Sequence, residues 1–189
     1  MSENTVTSAD TVDAAAGTPR HIIIMGVSGS GKTTVAKKLA ADLGYVYGEG
    51  DDMHPQANRD KMNAGTPLTD EDRWPWLRTI ARWMSDHAAQ GQSTVVTCSA
   101  LKRVYRDVLA SADGDTVFAH LCPDPELIAD RMAKRSGHFM PASLLDTQLE
   151  TLEPLHDDEP GFTVTCAGTP DEVRAELTER LEADGRHAS

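Results

Sequence analysis

The sequence predicts a single α/β domain, a five-stranded parallel sheet with helices on both faces. Two observations carry that expectation. Short, strongly apolar runs alternate with segments whose apolar residues recur at helical spacing, the pattern of strands linked by crossover helices. A glycine-rich stretch stands between the first run and the first helical segment, where a parallel strand turns into its covering helix. The length of 189 residues suits one core and would leave two full domains cramped.

Residues 21–25 (HIIIM) read as the first buried strand. Val35, Leu39 and Leu43 then fall at i, i+4 and i+8 on a helix that Gly44 stops. A second strand is expected around 45–48. Leu77, Ile80, Ala81, Met84 and Ala88 form one helical stripe, and Thr69 and Asp70 supply its start signal. Residues 93–98 read as the third strand, followed by a helix with Ser99 as N-cap and Leu101, Tyr105 and Val108 on one side. Residues 116–121 form the fourth strand. Asp124-Pro125 opens a helix carrying Leu127, Ile128 and Met132. The fifth strand, 162–166, leads to Thr169-Pro170-Asp171-Glu172, where a capping box starts a helix with Val173, Leu177 and Leu181 on its inner face. Residues 1–19 are small, polar and acidic and read as a disordered tail, leaving 20–185 as the domain.

Composition excludes several classes of function. Eighteen Lys+Arg against 30 Asp+Glu give a formal charge of −12, which argues against a general nucleic-acid partner. No apolar run approaches the ~20 residues that span a bilayer. The three cysteines (Cys98, Cys122, Cys166) show neither a disulfide framework nor metal-ligand spacing, so a reduced, cytoplasmic protein is expected. An anionic substrate would need a local cluster of bases within this acidic chain.

Gly26, Val27, Ser28, Gly29, Ser30, Gly31, Lys32 and Thr33 match G-x-x-x-x-G-K-[ST] in full, with Thr34 following. Glycines at these positions let backbone N–H groups turn inward around a phosphate, and the helix that starts near Lys32 adds its positive end. Lys32 can reach the β- and γ-phosphates of ATP, and the Thr33 hydroxyl can bind Mg²⁺. No NKxD guanine-reading motif occurs, and the third strand ends in Thr97-Cys98-Ser99 without an acid. Acids instead follow the second strand, at Glu49, Asp51 and Asp52. There they can meet both Mg²⁺ and an acceptor hydroxyl, which favours a small-metabolite kinase.

Further blocks resemble the gluconate kinase family of small P-loop kinases. Gly50-Asp51-Asp52-Met53-His54-Pro55 continues through Asn58, Lys61-Met62, Gly65, Pro67-Leu68, Asp70, Asp72-Arg73 and Pro75-Trp76-Leu77 in that family's HPxxNxxKMxxGxPLxDxDRxPWL pattern. Cys98-Ser99-Ala100-Leu101-Lys102 with Tyr105-Arg106-Asp107 resembles its CSALKxxYRDxL block. Arg131, Arg135 and Gly137-His138-Phe139 resemble its mobile lid, here about 134–142, and Gln148 with Glu150-Thr151-Leu152-Glu153 its QxETLE. The resemblance covers about residues 20–181. One departure is Glu49, where many relatives carry Asp in a DGD triplet.

The resemblance implies a P-loop NTPase fold and an ATP- and Mg²⁺-dependent kinase that phosphorylates D-gluconate on its C6 hydroxyl. Asp51 is then the candidate general base, with Thr33, Glu49 and Asp51 around the metal. His54, Lys61, Arg73, Ser99, Lys102 and His138 are candidates for substrate, and Arg73 suits a carboxylate better than a lysine does. Arg131 and Arg135, four apart on one helical face, can neutralise the transferring phosphoryl group. Arg131 can instead stack on adenine, opposite the 166–170 loop that includes Pro170. Trp74, Trp76 and Trp83 read as core packing or a subunit interface, and with the family they suggest a homodimer. Six of the 18 basic residues (Lys102, Arg103, Arg106, Arg131, Lys134, Arg135) fall within 34 residues, so a positive pocket is expected. The surplus acid is expected at the periphery, in the tail, the 153–159 loop and the last helix. Two alternatives stay open: another acceptor, and a nucleotide sensor without catalysis. The absence of a Gly-Gly pair tells against the Gly-Gly-Gly motif of shikimate kinases.

Overall fold

The computed structural model describes residues 17–122 and 142–185. Its strands are β1 (Arg20–Met25), β2 (Val46–Glu49), β3 (Thr94–Thr97), β4 (Asp115–Cys122) and β5 (Gly161–Thr165). They form one parallel sheet in the order β2-β3-β1-β4-β5. The most apolar strand therefore lies at the centre. Ile22 pairs in register with Val95 and Val117, and Ile23 with Val96 and Phe118. Because successive side chains alternate between faces, β1 feeds two cores.

The first core takes Ile22 and Ile24. It is covered by α1 (Lys32–Leu43) through Val35 and Leu39, and by α6 (Pro170–Gly185) through Val173, Leu177 and Leu181. The second takes Ile23 and Met25. It is covered by α3 (Asp70–Ala88) through Trp76, Leu77, Ile80 and Met84, and by α4 (Arg103–Leu109) through Tyr105 and Leu109. Each fully buried aliphatic side chain contributes roughly 1.5–3 kcal/mol, so both faces of β1 hold the sheet together.

The capping box expected at Thr169 forms, and the start signal at Thr69 proves to be a second one. Thr69 Oγ1 accepts from the Asp72 N–H at 3.2 Å, and Asp72 Oδ2 accepts from the Thr69 N–H at 2.9 Å. Thr169 and Glu172 make the same pair of bonds at the start of α6. The expected strands lie within one residue of their observed bounds.

Between β2 and α3 the chain forms a 3₁₀ turn (Gly50–Met53) and α2 (Gln56–Asn63), neither of which the periodicity announced. These segments carry no apolar stripe. The only buried residue of α2 is Asn58, whose side-chain amide donates to the Asp72 carbonyl at 2.8 Å.

A correction concerns Ser99. It does not cap α4, which begins at Arg103 with Lys102 as an N-cap lacking a side-chain bond. Ala100 at φ 45° turns the chain through the left-handed region first, so the helix cannot start at Ser99. Leu101 accordingly packs with Val27, not along the α4 stripe. The expected tail lies outside the described residues over 1–16. Pro19 is tied to the sheet, its carbonyl accepting from the Asp115 N–H at 2.9 Å. The helix expected after Asp124 and the lid up to residue 141 also lie outside the described residues. Among the described residues, no helix is long and apolar enough to cross a membrane.

Candidate active site

The C-terminal ends of β1, β2 and β3 converge on one open cleft, the place where a parallel sheet offers its ligand site. After β1, Gly26, Gly29 and Gly31 adopt φ of 138°, 80° and 91°, values that side chains on L residues disfavour. A Cβ on Gly26 would also stand 2.6 Å from the Leu121 carbonyl oxygen. The loop thus needs glycine for both conformation and approach. Lys32 begins α1 and its Nζ donates to the Val27 carbonyl at 2.9 Å, arching back over the loop. The Ser28 N–H donates to Gln148 Oε1 at 2.8 Å, from α5 (Ala142–Thr151).

At the end of β2, Glu49 gathers hydroxyls. Thr33 Oγ1 donates to its Oε2 at 2.8 Å, Tyr47 OH donates to the same oxygen at 2.6 Å, and Thr97 Oγ1 donates to Oε1. Burial pushes the Glu49 carboxyl upward. The three hydroxyl bonds, with the charge of Lys32, outweigh that cost and hold it below the ordinary value. Glu49 is therefore an anion at neutral pH. Thr33 spends its proton on Glu49, which leaves its oxygen lone pairs for a cation. Thr33 and Glu49 thus suit Mg²⁺, which needs few protein ligands when phosphates supply the rest. Among the described residues, no group of three or more His, Cys, Asp or Glu is placed to hold a metal ion.

The 3₁₀ turn places the next groups. A Cβ on Gly50 would lie 2.0 Å from the Thr97 carbonyl oxygen, so only glycine lets this turn pack on the end of β3. Trp76 Nε1 donates to the Gly50 carbonyl at 2.7 Å and pins the turn from α3. Asp51 and His54 then line the cleft beside Ser28 and Lys32. His54 is 5% exposed and stacks on Trp76, with ring centroids 4.0 Å apart. Burial, with the nearby Arg73 and Arg59 charges, lowers its pKa to about 4, so it is neutral at pH 7. Its Nδ1 lies 3.2 Å from the Asn58 side-chain nitrogen, which can only donate. The remaining proton therefore belongs on Nε2, making His54 a neutral donor.

The structure separates the basic candidates. Arg73 lines the cleft with its guanidinium 5.6 Å from the Tyr105 ring, and among the described residues no carboxylate is paired with it. Lys61 donates to both oxygens of Asp72 at 2.7 and 2.8 Å, and Lys102 to both of Asp70 at 3.0 and 3.1 Å. Neither lysine lines the cleft, whereas Ser99 does. Pro170 is exposed at the start of α6 and does not line the cleft. Arg131, Arg135 and His138 lie outside the described residues.

Of the six clustered bases expected to form a positive pocket, Arg131, Lys134 and Arg135 lie outside the described residues, and Lys102, Arg103 and Arg106 are each paired with an acid. Arg106 is 1% exposed and donates to Glu159 Oε1 at 2.8 Å, and to the Ala100 and Glu153 carbonyls at 3.1 Å each. Arg103 pairs with Asp158. Asp158 and Glu159, expected at the periphery, are thus partners of these arginines. Bonding the Ala100 carbonyl, Arg106 braces the left-handed turn that delivers Ser99 to the cleft.

Two residues were missed as functional. Trp76, read as packing, is buried and also forms cleft wall. Gln148, quoted only within a motif, reaches the phosphate loop. Its spacing of three from Leu145 and four to Leu152 put it on the inner face of α5, a signal the sequence did carry. The described cysteines are free, and burial pushes the Cys98 thiol up to about 12, so it is inert.

Comparison with known proteins places this geometry. Residues 22–155 match the family model described as an AAA domain. A gluconokinase of Gluconobacter oxydans (strain 621H) is 49% identical over 166 residues, covering 88% of this chain and 93% of its own length. Among solved structures, an unliganded sugar kinase from Janibacter sp. HTCC2649 superposes with a TM-score of 0.83 at 49% identity, over 87% of this chain and 95% of the other. A gluconokinase from Sinorhizobium meliloti 1021 superposes with a TM-score of 0.75 at 45% identity, over 87% and 96% of the two chains.

Proposed function

Taking as premise that the chain belongs to the gluconokinase family and is a P-loop kinase that uses ATP, we propose that it transfers the γ-phosphoryl group of ATP to the C6 hydroxyl of D-gluconate, with Mg²⁺. The products are ADP and 6-phospho-D-gluconate. The observation that carries this reading is the single cleft that joins Lys32 and Ser28 of the phosphate loop to Asp51, His54 and Arg73.

Each residue has a role within that reading. The inward N–H groups of Gly26–Thr34 hold the phosphates, and Lys32 neutralises charge on the β- and γ-oxygens. Asp51 orients the acceptor hydroxyl and takes its proton. Phosphoryl transfer through a loose transition state asks mainly for this positioning. Thr33 and Glu49, with Asp51 in the same cleft, hold the Mg²⁺, which supplies charge neutralisation at the phosphate oxygens. Arg73 binds the gluconate carboxylate, since its fork geometry matches two oxygens and no carboxylate among the described residues forms a salt bridge with it. His54, through Nε2–H, and Ser99 meet the sugar hydroxyls. Lys61 and Lys102 serve the acceptor at one remove, by holding Asp72 and Asp70 in the first turn of the helix that carries Arg73. Arg135 and His138 act on the phosphoryl group and acceptor from the lid, and Arg131 and Pro170 flank the adenine. A homodimer and a cytoplasmic site of action belong to the same proposal, the first read by sedimentation equilibrium.

A coupled assay with ATP, Mg²⁺ and a panel of sugar acids tests the reaction. ADP formation should depend on D-gluconate and on Mg²⁺. No gluconate-dependent ADP would sink the proposal, and faster turnover of another acid would replace the acceptor.

A further inference from the structure

Tyr105 stands where α4 meets the first turn of α3. Its side chain is buried in the second core with Trp76, Leu77 and Ile80. Trp74 meets its ring at 77°, with centroids 5.5 Å apart, and its hydroxyl donates to Asp70 Oδ1. Packing and hydrogen bond together fix the ring in place. Two cations lie over it, the Arg73 guanidinium at 5.6 Å from the centroid and Lys102 Nζ at 5.5 Å. They differ in their other contacts. Lys102 also donates to both oxygens of Asp70, at 3.0 and 3.1 Å. Arg73 follows Asp70 by three residues on the same helix, a spacing at which acid and base commonly pair. Among the described residues, however, no carboxylate forms a salt bridge with Arg73, and its guanidinium is set over the ring instead. Attraction to a ring face uses the charge of a guanidinium and none of its N–H donors. Arg73 also lines the cleft that contains Asp51 and His54.

We propose that Tyr105 is a positioning residue for the acceptor: the face of its ring holds the Arg73 guanidinium at the cleft wall, ready for the carboxylate of the sugar acid. This rests on the reading of Arg73 as the carboxylate-binding residue and adds what fixes it there. A long side chain loses rotamer freedom when a ligand immobilises it, so an arginine already held by a ring binds with less loss. A neighbouring carboxylate would hold it as well, but would occupy the fork and offset its charge. A ring does neither. The flexible polyhydroxy acid then meets a cation whose position is set by the buried core.

The test uses the full chain carrying Tyr105→Phe as reference, then phenylalanines with one, two and three ring fluorines incorporated at this position alone. Fluorine drains negative charge from the ring face with little change in shape, so packing is kept while the attraction to a cation falls. Should loss of the hydroxyl unfold the chain, ring-fluorinated tyrosines give the same series. KM for gluconate should rise stepwise, by about 5-fold or more from the reference to the trifluoro ring, with KM for ATP within about twofold. In an Arg73→Ala background the series should be flat, because the cation it acts on is gone. A flat series in the chain that keeps Arg73 overturns the proposal. So does a slope that survives Arg73→Ala, since the ring would then act through packing or through Lys102. Arg73→Ala alone separates the two readings. An unchanged KM for gluconate there sinks the carboxylate reading and this proposal with it, whereas a raised KM leaves the fluorine series to judge Tyr105 alone.

Discussion

The phosphate loop and the acceptor wall face each other across one cleft but are built from different materials. The loop works with backbone N–H groups, left-handed glycines and a helix start, all within nine consecutive residues, 26–34. The wall is assembled from side chains far apart in sequence: Trp76 on the Gly50 carbonyl, Asn58 on the Asp72 carbonyl, Arg106 on Glu159 and Ala100. A backbone device tolerates changes in its neighbours, because the groups that bind belong to every residue type. A side-chain device fails when one partner goes. The wall also sorts its charges, since Asp72 and Asp70 are paired with Lys61 and Lys102, while no carboxylate among the described residues is paired with Arg73.

The largest effect expected from breaking the wall is on stability. Glu159→Ala strands the buried Arg106 guanidinium and should cost about 3–5 kcal/mol in urea unfolding. The turn at Ala100 should loosen with it, so KM for the acceptor should rise more than KM for ATP. A stable variant with normal kinetics would show that the brace does not shape the site. Next, Asp51→Asn should lower kcat by ~10²-fold or more with the fold intact, judged by thermal melting. An unchanged kcat removes Asp51 from proton handling.

Arg73→Ala should raise KM for gluconate by about 10- to 100-fold and leave KM for ATP nearly unchanged, as expected for a lost charge-assisted contact. Steady-state kinetics with each substrate varied decides this. The pH dependence is a finer probe. His54 has a pKa of about 4 in the fold against 6.5 in the open chain, so the unfolded state binds more protons between those values. Stability should therefore fall as pH drops from 6.5 to 4, with a slope from this one group approaching 1.4 kcal/mol per pH unit. His54→Asn should flatten the profile, while His120, also lowered to about 4 by burial, keeps its share. The smallest effect belongs to Lys61→Ala and Lys102→Ala, which should move KM for gluconate by less than about threefold. A larger change in either lysine variant than in Arg73→Ala would reverse the assignment of the carboxylate.

The sequence by itself determined the sheet, the loop and the reaction class. Continuous apolar runs and stripes of period 3.6 report burial directly, and the start signal at Thr69 and the capping box at Thr169 are local rules that formed as expected. The G-x-x-x-x-G-K-T loop is legible for the same reason, since its chemistry lies in adjacent backbone units. Tertiary structure alone decided which charges are available. Lys61, Lys102, Arg103 and Arg106 look like pocket bases in the sequence, and each is taken by an acid 11, 32, 55 or 53 residues away. Pairing across such separations follows from how strands and helices stack, which no local pattern encodes. The same holds for Ser99, displaced from its expected cap by one left-handed residue, and for Trp76 and Gln148. Their functional side depends on which face of the cleft each helix is packed to present.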